Sequence, residues 1–256
     1  GYLTRGKYER GTTTYETYAT LQCVEEGRRA QIACEHVGLF DENMYLIDRL
    51  LTSAKLNGID ISLLLLDREF FSCTVINGLK RLHQFFLMPC RLTKGVKQAL
   101  TEYAQGTRKP ISSHVIRGYG GGDQQQKEAS FTLVILPKRG CGKEIDPLKR
   151  YIPFATNIQS GKILWNVSRL SKDYRLRWGI ETGYNAIEQF RARTTSRNHS
   201  LRLLYFYYAM ILYNAWLLAN LTLAKNICKH LKNPIITVQM LKAVFNKTIT
   251  ESISKG

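Results

Sequence analysis

The pattern of apolar and polar positions divides the chain into a β-rich start, a middle of alternating strand and helix patterns, and a helical end. Tyr15 to Val24 (YETYATLQCV) is rich in β-formers, Gly27 turns the chain, and Arg28 to Val37 (RRAQIACEHV) returns, which predicts a hairpin. The polar, glycine-bearing and basic residues 1–14 read as a loop leading into its first strand. Asp41 to Leu56 places Met44, Ile47, Leu50, Leu51 and Ala54 at helical spacing. Ile61 to Leu66 is a short run, apolar but for Ser62, the pattern of a central strand covered on both faces, and Asp67 stands where it ends. A helix over about 71–82, a strand from Gln84 to Pro89 and a helix from Lys94 to Tyr103 follow. Strand, helix, strand, helix predicts a sheet with helices packed on it.

Residues 105–150 change character. Strands are expected around His114–Arg117 and over Ala129–Pro137, with the glycine run Gly120–Gly122 between them and a basic turn (Lys138, Arg139, Lys143, Lys149, Arg150) after them. This reads as a β-rich insertion. Tyr151 to Thr156 returns as a strand that Asn157 ends. The remainder predicts three helices, Ser168–Thr194, Leu201–Ala224 and about Thr237–Lys247. The expected organisation is α/β, with the first part of the core over 1–104, the insertion and return strand over 105–157, and a helical part over 158–256. Leu201–Ala224 is nearly apolar and matches the roughly 20 residues that cross a bilayer. Arg202, Asn214, Asn220, four tyrosines and Thr222 favour a helix buried on all sides in a globular domain, with a membrane span as the alternative.

Charge narrows the partners. Lys plus Arg is 37 against 20 for Asp plus Glu, a net charge of +17, while a hydrophobic content of 44% is that of a globular protein. Such an excess favours nucleic acid, where many phosphates are contacted and counterions are released, ahead of an anionic membrane surface. The six cysteines include no Cys-x-x-Cys pair and lie mostly in apolar runs, as reduced, buried cysteines of a cytoplasmic protein do. The histidines show no metal spacing, and no signal-peptide pattern opens the chain. It begins GYLTRGKYERGTTTY, without Met, and reads as the interior of a longer protein.

Two stretches carry candidate chemistry. Asp67, at the end of a predicted strand, stands where α/β folds place functional groups; it can equally cap the following helix. In YRLRWGIETGYNAIEQFRAR, Tyr174, Arg177, Glu181 and Glu188 are three, four and seven residues apart and share one face of a continuous helix. Glu181 is then either an intrahelical partner of Arg177 or an acid held for chemistry. Taken together, Asp67 and Glu181 suggest carboxylates converging on divalent metal. Two ions about 4 Å apart can activate water and stabilise the leaving oxygen of a phosphodiester, and magnesium prefers oxygen ligands. The Gly120–Gly122 run lacks the Lys-Ser/Thr of a phosphate loop and reads as a hairpin tip.

Tyr174, two residues, Arg177, three residues, Glu181 resembles the C-terminal signature of insertion-sequence DDE transposases of the Tyr-Arg-Glu-Lys type. LLLLDREFF around Asp67 resembles the second-Asp strand of that family, and FATN at 154–157 followed by YRLRWGIE its approach to the Glu helix. The match runs over nearly the whole chain. It implies a ribonuclease H-like mixed sheet flanked by helices, with a β-rich insertion before the Glu helix. It also implies metal-dependent DNA cleavage and strand transfer with two magnesium or manganese ions. By this resemblance Asp67 and Glu181 are metal-binding catalytic carboxylates, and Tyr174 and Arg177 contact phosphates of the transposon end. The implied partners are the inverted repeats and target DNA, with a homodimer in the synaptic complex and a nucleoid-associated, cytoplasmic location. Two departures stand out. Glu188 occupies the Lys position, leaving Arg191, with Arg193 beside it, as the nearby cations for DNA. The family's first Asp, which precedes a hairpin such as 15–37, has no counterpart in residues 1–14. The expectation is an N-terminally truncated catalytic domain, inactive as it stands. A non-enzymatic DNA-binding remnant and a ribonuclease H-like nuclease without strand transfer are the alternatives.

Overall fold

The computed structural model describes residues 3–9, 12–25, 29–119, 126–138, 140–159, 167–177, 179–192, 194–226 and 234–253. Its strands are β1 (Thr4–Glu9), β2 (Thr12–Tyr15), β3 (Thr17–Gln22), β4 (Gln31–Val37), β5 (Leu64–Leu65), β6 (Phe86–Pro89), β7 (Ile111–Tyr119), β8 (Gln126–Pro137) and β9 (Tyr151–Thr156). Its helices are α1 (Asn43–Leu56), α2 (Cys73–Arg81), α3 (Lys94–Ala104), α4 (Pro147–Arg150), α5 (Val167–Leu176), α6 (Gly179–Phe190), α7 (His199–Asn226) and α8 (Val238–Ile253), with a 3-10 turn at Arg68–Phe70. The fold is thus mixed α/β. Two compact units divide it: Glu42–Arg177, and Gly1–Asp41 together with Trp178–Gly256.

The 42–177 unit is built on a five-stranded mixed sheet in the order β5-β6-β9-β8-β7. Phe86, Leu87 and Met88 of β6 are fully buried, so β6 has to lie inside the sheet with both faces covered. It pairs in parallel with β5 (Leu64↔Phe86, Leu65↔Leu87) and antiparallel with β9 (Leu87↔Thr156, Pro89↔Phe154). The parallel pair requires a crossover, which α2 supplies. Ser72 caps α2 by accepting from the Val75 N–H, and Thr93 caps α3 by accepting from the Val96 N–H. The end of β9 is tied to the start of β6. The Thr156 hydroxyl donates to the Phe86 carbonyl at 2.6 Å. The Asn157 carboxamide accepts from the Phe86 N–H and donates to the Gln84 carbonyl. Leu87, Val134, Leu136, Phe154 and Leu170 form the core on one side.

In the other unit, β1 pairs with β2 and β3 with β4, both antiparallel. The β3–β4 hairpin matches the expected one. Helix α7 is bolted to it: the Asn214 carboxamide accepts from the Gln31 N–H at 2.9 Å and donates to the Gln31 carbonyl at 2.8 Å. The Tyr207 hydroxyl donates to the Cys34 carbonyl. Cys34, Ile187, Phe190, Phe206, Ala209, Met210 and Tyr213 make the core of this unit. Helix α6 also approaches the hairpin closely, since a Cβ at Gly183 would meet the Gln22 carboxamide oxygen at 2.9 Å. Among the described cysteines, Cys34, Cys90 and Cys141 are free thiols.

Several expectations are corrected. Thr4–Glu9 and Thr12–Tyr15 form β1 and β2 rather than a loop; Thr12, Thr13 and Thr14 supply the β-branched character that their polarity masked. The 61–66 run does not make a central strand. Only Leu64–Leu65 pair, at the sheet edge, and burial there alternates instead of being continuous. Strands β7, β8 and β9 are hydrogen-bonded into the same sheet as β6, and the compact unit Glu42–Arg177 runs across residues 104 and 157. The expected 168–194 helix is two helices. Helix α5 closes with a short-range bond from the Arg177 N–H to the Tyr174 carbonyl, and α6 opens on Gly179, a poor helix residue. Helix α7 is covered on one side only, with Leu204, Tyr208, Ile211 and Leu218 exposed. Among the described residues, no helix is long and apolar enough to cross a membrane. The Gly120–Gly122 run lies outside the described residues.

The Asn214 clip answers both polar groups of one buried backbone residue, so its removal strands a donor and an acceptor together. Asn214→Ala is expected to lower stability by about 1–3 kcal/mol in urea unfolding followed by circular dichroism. Thr222→Ala, whose exposed hydroxyl merely bonds the Leu218 carbonyl, should stay within about 0.5 kcal/mol of the parent.

Candidate functional site

The candidate site lies in the 42–177 unit, where β5 and β6 end. The β5–β6 ladder runs one residue past the strand through the Leu66 N–H to the Leu87 carbonyl, and the next residue is Asp67. The cap reading of that aspartate is realised, and its second oxygen has a distant partner. One carboxylate oxygen accepts from the Arg68 N–H at 2.6 Å and caps the Arg68–Phe70 turn. The other faces the Arg177 guanidinium at 3.4 Å, from a residue 110 positions later. The turn is held from behind by Arg91, which donates to both the carbonyl and the carboxylate of Glu69 at 2.9 Å.

Arg177 is the better buried partner: its side chain is 17% exposed and that of Asp67 51%. Its guanidinium carbon lies 5.4 Å from the centroid of the Tyr174 ring, within cation–π range. Tyr174 in turn stands edge-to-face on Phe154 of β9, with centroids 4.8 Å apart. The stack therefore runs from the sheet core outward: Phe154, Tyr174, Arg177, Asp67. The Arg177 Nε is buried and has no hydrogen-bond partner among the described residues, which leaves one donor of the fork unsatisfied there. Burial pushes the Tyr174 phenol above its usual range; the neighbouring Arg177 cation works against this and the Asp67 charge with it.

The other predicted residues are placed elsewhere. Tyr174 and Arg177 belong to α5 and the turn after it, whereas Glu181 and Glu188 belong to α6, so the four do not share the face of one helix. Glu181 lies in the 178–256 part, and its side chain is outside the described ones. Glu188 pairs with Arg191 at 2.8 Å, and the Arg191 guanidinium lies 5.9 Å from the Phe206 ring centroid. Arg193 lies outside the described residues. Sequence reasoning did not find Phe154 as the platform for Tyr174, or the Arg91–Glu69 clip; both depend on contacts between elements far apart in the chain. It also missed a cluster in the other unit, where Glu16, its side chain 7% exposed, accepts from the Tyr18 hydroxyl and lies 3.8 Å from His199 and 3.9 Å from Arg202.

As to a metal, Asp67 contributes one carboxylate, and its two oxygens already face an N–H and a guanidinium. Among the described residues no group of three His, Cys, Asp or Glu side chains is arranged to hold an ion. These residues do not by themselves make the two-ion centre that the transposase resemblance implies. What the arrangement does offer is a largely buried guanidinium beside an aromatic ring, of a kind that can bind a phosphate oxygen. No protein-family profile matches this chain, and no curated protein matches it either.

The stack has a titration signature. With ¹³C-labelled tyrosine, Arg177→Ala should move ionisation of Tyr174 to still higher pH by removing the favouring cation, whereas Asp67→Asn should move it down by removing the opposing charge. Because the raised phenol stays protonated when the unfolded chain ionises, Tyr174 contributes stability that is present below about pH 10 and lost as pH rises above it.

Proposed function

We propose that this chain is part of the catalytic domain of an insertion-sequence DDE transposase and that it binds double-stranded DNA through the Tyr174–Arg177 face. The observation that carries the reading is the convergence of Asp67, Arg177 and Tyr174 at the end of a parallel strand pair, across 110 residues of sequence. The YRLRWGIE and LLLLDREFF motifs support it, as does the net charge of +17. In this reading the substrate is the transposon inverted repeat and then the target duplex, handled by a homodimer in the synaptic complex. Arg191 and Arg193 add cationic contacts near the position where the family carries Lys.

Asp67 and Glu181 are then the two carboxylates that this sequence supplies for magnesium or manganese. Bound metal would supply an activated water and charge stabilisation at the leaving oxygen. The described residues do not assemble such a centre, so no cleavage step is assigned to them. The 256 residues bind DNA and do not cut it. The double engagement of Asp67 also favours a second reading, a DNA-binding remnant of a mobile element with no chemistry of its own.

Duplex binding followed by fluorescence anisotropy is expected to weaken steeply with salt and to fall by roughly fivefold or more in Arg177→Ala and Tyr174→Ala. Binding indifferent to both substitutions would overturn the reading. Magnesium-dependent nicking of supercoiled plasmid by the parent chain is expected to stay at background. Robust nicking, abolished in Asp67→Asn and Glu181→Gln, would refute inactivity while supporting the family. Salt-dependent duplex binding that is indifferent to Glu181→Ala would favour the remnant.

A further inference from the structure

The Arg177 guanidinium is poorly satisfied for so buried a group. It has five N–H donors in a fixed fork, yet its carboxylate contact is a single long one at 3.4 Å and its buried Nε has no hydrogen-bond partner among the described residues. Tyr174 takes up part of the fork, with its ring within cation–π range and its hydroxyl hydrogen-bonded to the Arg177 side chain. Asp67 is bound differently. Its short 2.6 Å bond to the Arg68 N–H anchors it to the turn, which Arg91 secures from the other side. The carboxylate is therefore held in place whether or not Arg177 is present, and the guanidinium is the partner with reason to exchange.

We propose that the Asp67–Arg177 pair is an autoinhibitory latch on DNA binding: Asp67 occupies the fork of Arg177 in the free chain, and a backbone phosphate of duplex DNA displaces it. A phosphodiester can take two N–H donors side by side, which the anchored Asp67 does not. Displacement opposes binding by the free energy of the ion pair, and it also frees the Asp67 carboxylate. Phosphate capture at Arg177 and release of Asp67 are thus one linked event, and any cation that binds Asp67 must strengthen DNA binding reciprocally. The proposal rests on the phosphate contact assigned to Arg177 above and adds the competitor for it.

The test is anisotropy with a short fluorescein-labelled duplex in EDTA at fixed salt, using the 256-residue chain. Asp67→Asn keeps the turn cap, because asparagine caps as well as aspartate, and removes only the charge. It is expected to tighten binding by about three- to fivefold. Glu69→Gln, which removes an equally local charge paired with Arg91 rather than Arg177, should tighten it less. In an Arg177→Ala background the gain from Asp67→Asn should vanish, with Arg177→Lys as a charge-keeping companion and circular dichroism confirming that each variant is folded. Equal gains from Asp67→Asn and Glu69→Gln, or a gain that persists without Arg177, would overturn the latch. If Arg177→Ala alone leaves binding unchanged, the phosphate contact fails and the latch fails with it. If Arg177→Ala weakens binding but Asp67→Asn brings no gain, the latch alone fails.

Discussion

Strand β6 must bury four consecutive apolar residues, and the 42–177 unit is arranged to let it do so. A strand with both faces covered also needs a hydrogen-bonding neighbour along each edge. On one edge β5 provides it, and the end of β5 delivers Asp67. On the other edge β9 provides it, and β9 carries Phe154, on which Tyr174 stacks. The candidate site is therefore a by-product of the way one short segment is buried. Thr156 and Asn157 keep the β6–β9 pairing in register through bonds to Phe86 and Gln84. Thr156 and Asn157, which read in the sequence as part of a transposase-like motif, thus have a structural duty in the sheet.

How much was legible in the sequence depends on whether the deciding interaction is local. The helices over Asn43–Leu56, Cys73–Arg81 and Lys94–Ala104 follow from apolar spacing, and the latter two carry Ser and Thr caps that any reader can see. QFFLMP and YIPFAT are legible as strands for the same reason. Ile61–Leu66 is just as apolar as QFFLMP, yet only two of its residues pair, because centre and edge are properties of the neighbours and not of the run. The break after Arg177 was hidden differently. Apolar spacing stays in phase on both sides of Gly179, so periodicity alone continues the helix, and the one-face arrangement of Tyr174, Arg177, Glu181 and Glu188 goes with it.

The site shows the same division. Tyr174 and Arg177 were found together because they are three residues apart and their spacing puts ring over cation. Asp67 was found because it ends an apolar run. That Arg177 would choose Asp67, rather than a residue on its own helix, required the sheet. Phe154 had no signal beyond being one more aromatic in a buried strand.

The division of labour within the Asp67 carboxylate bears on how this gene changes over time. One oxygen serves the backbone and the other carries the electrostatics, and an asparagine can take over the first duty but not the second. A single-base transition converts either aspartate codon to asparagine. Such a change costs the fold little, since the cap survives and the carboxylate is half exposed. Selection for a stable protein therefore does almost nothing to protect the charge at position 67. An aspartate retained there through many generations of copying would record selection on what the protein does to its ligand, in a way that the buried residues around it, kept for packing alone, cannot.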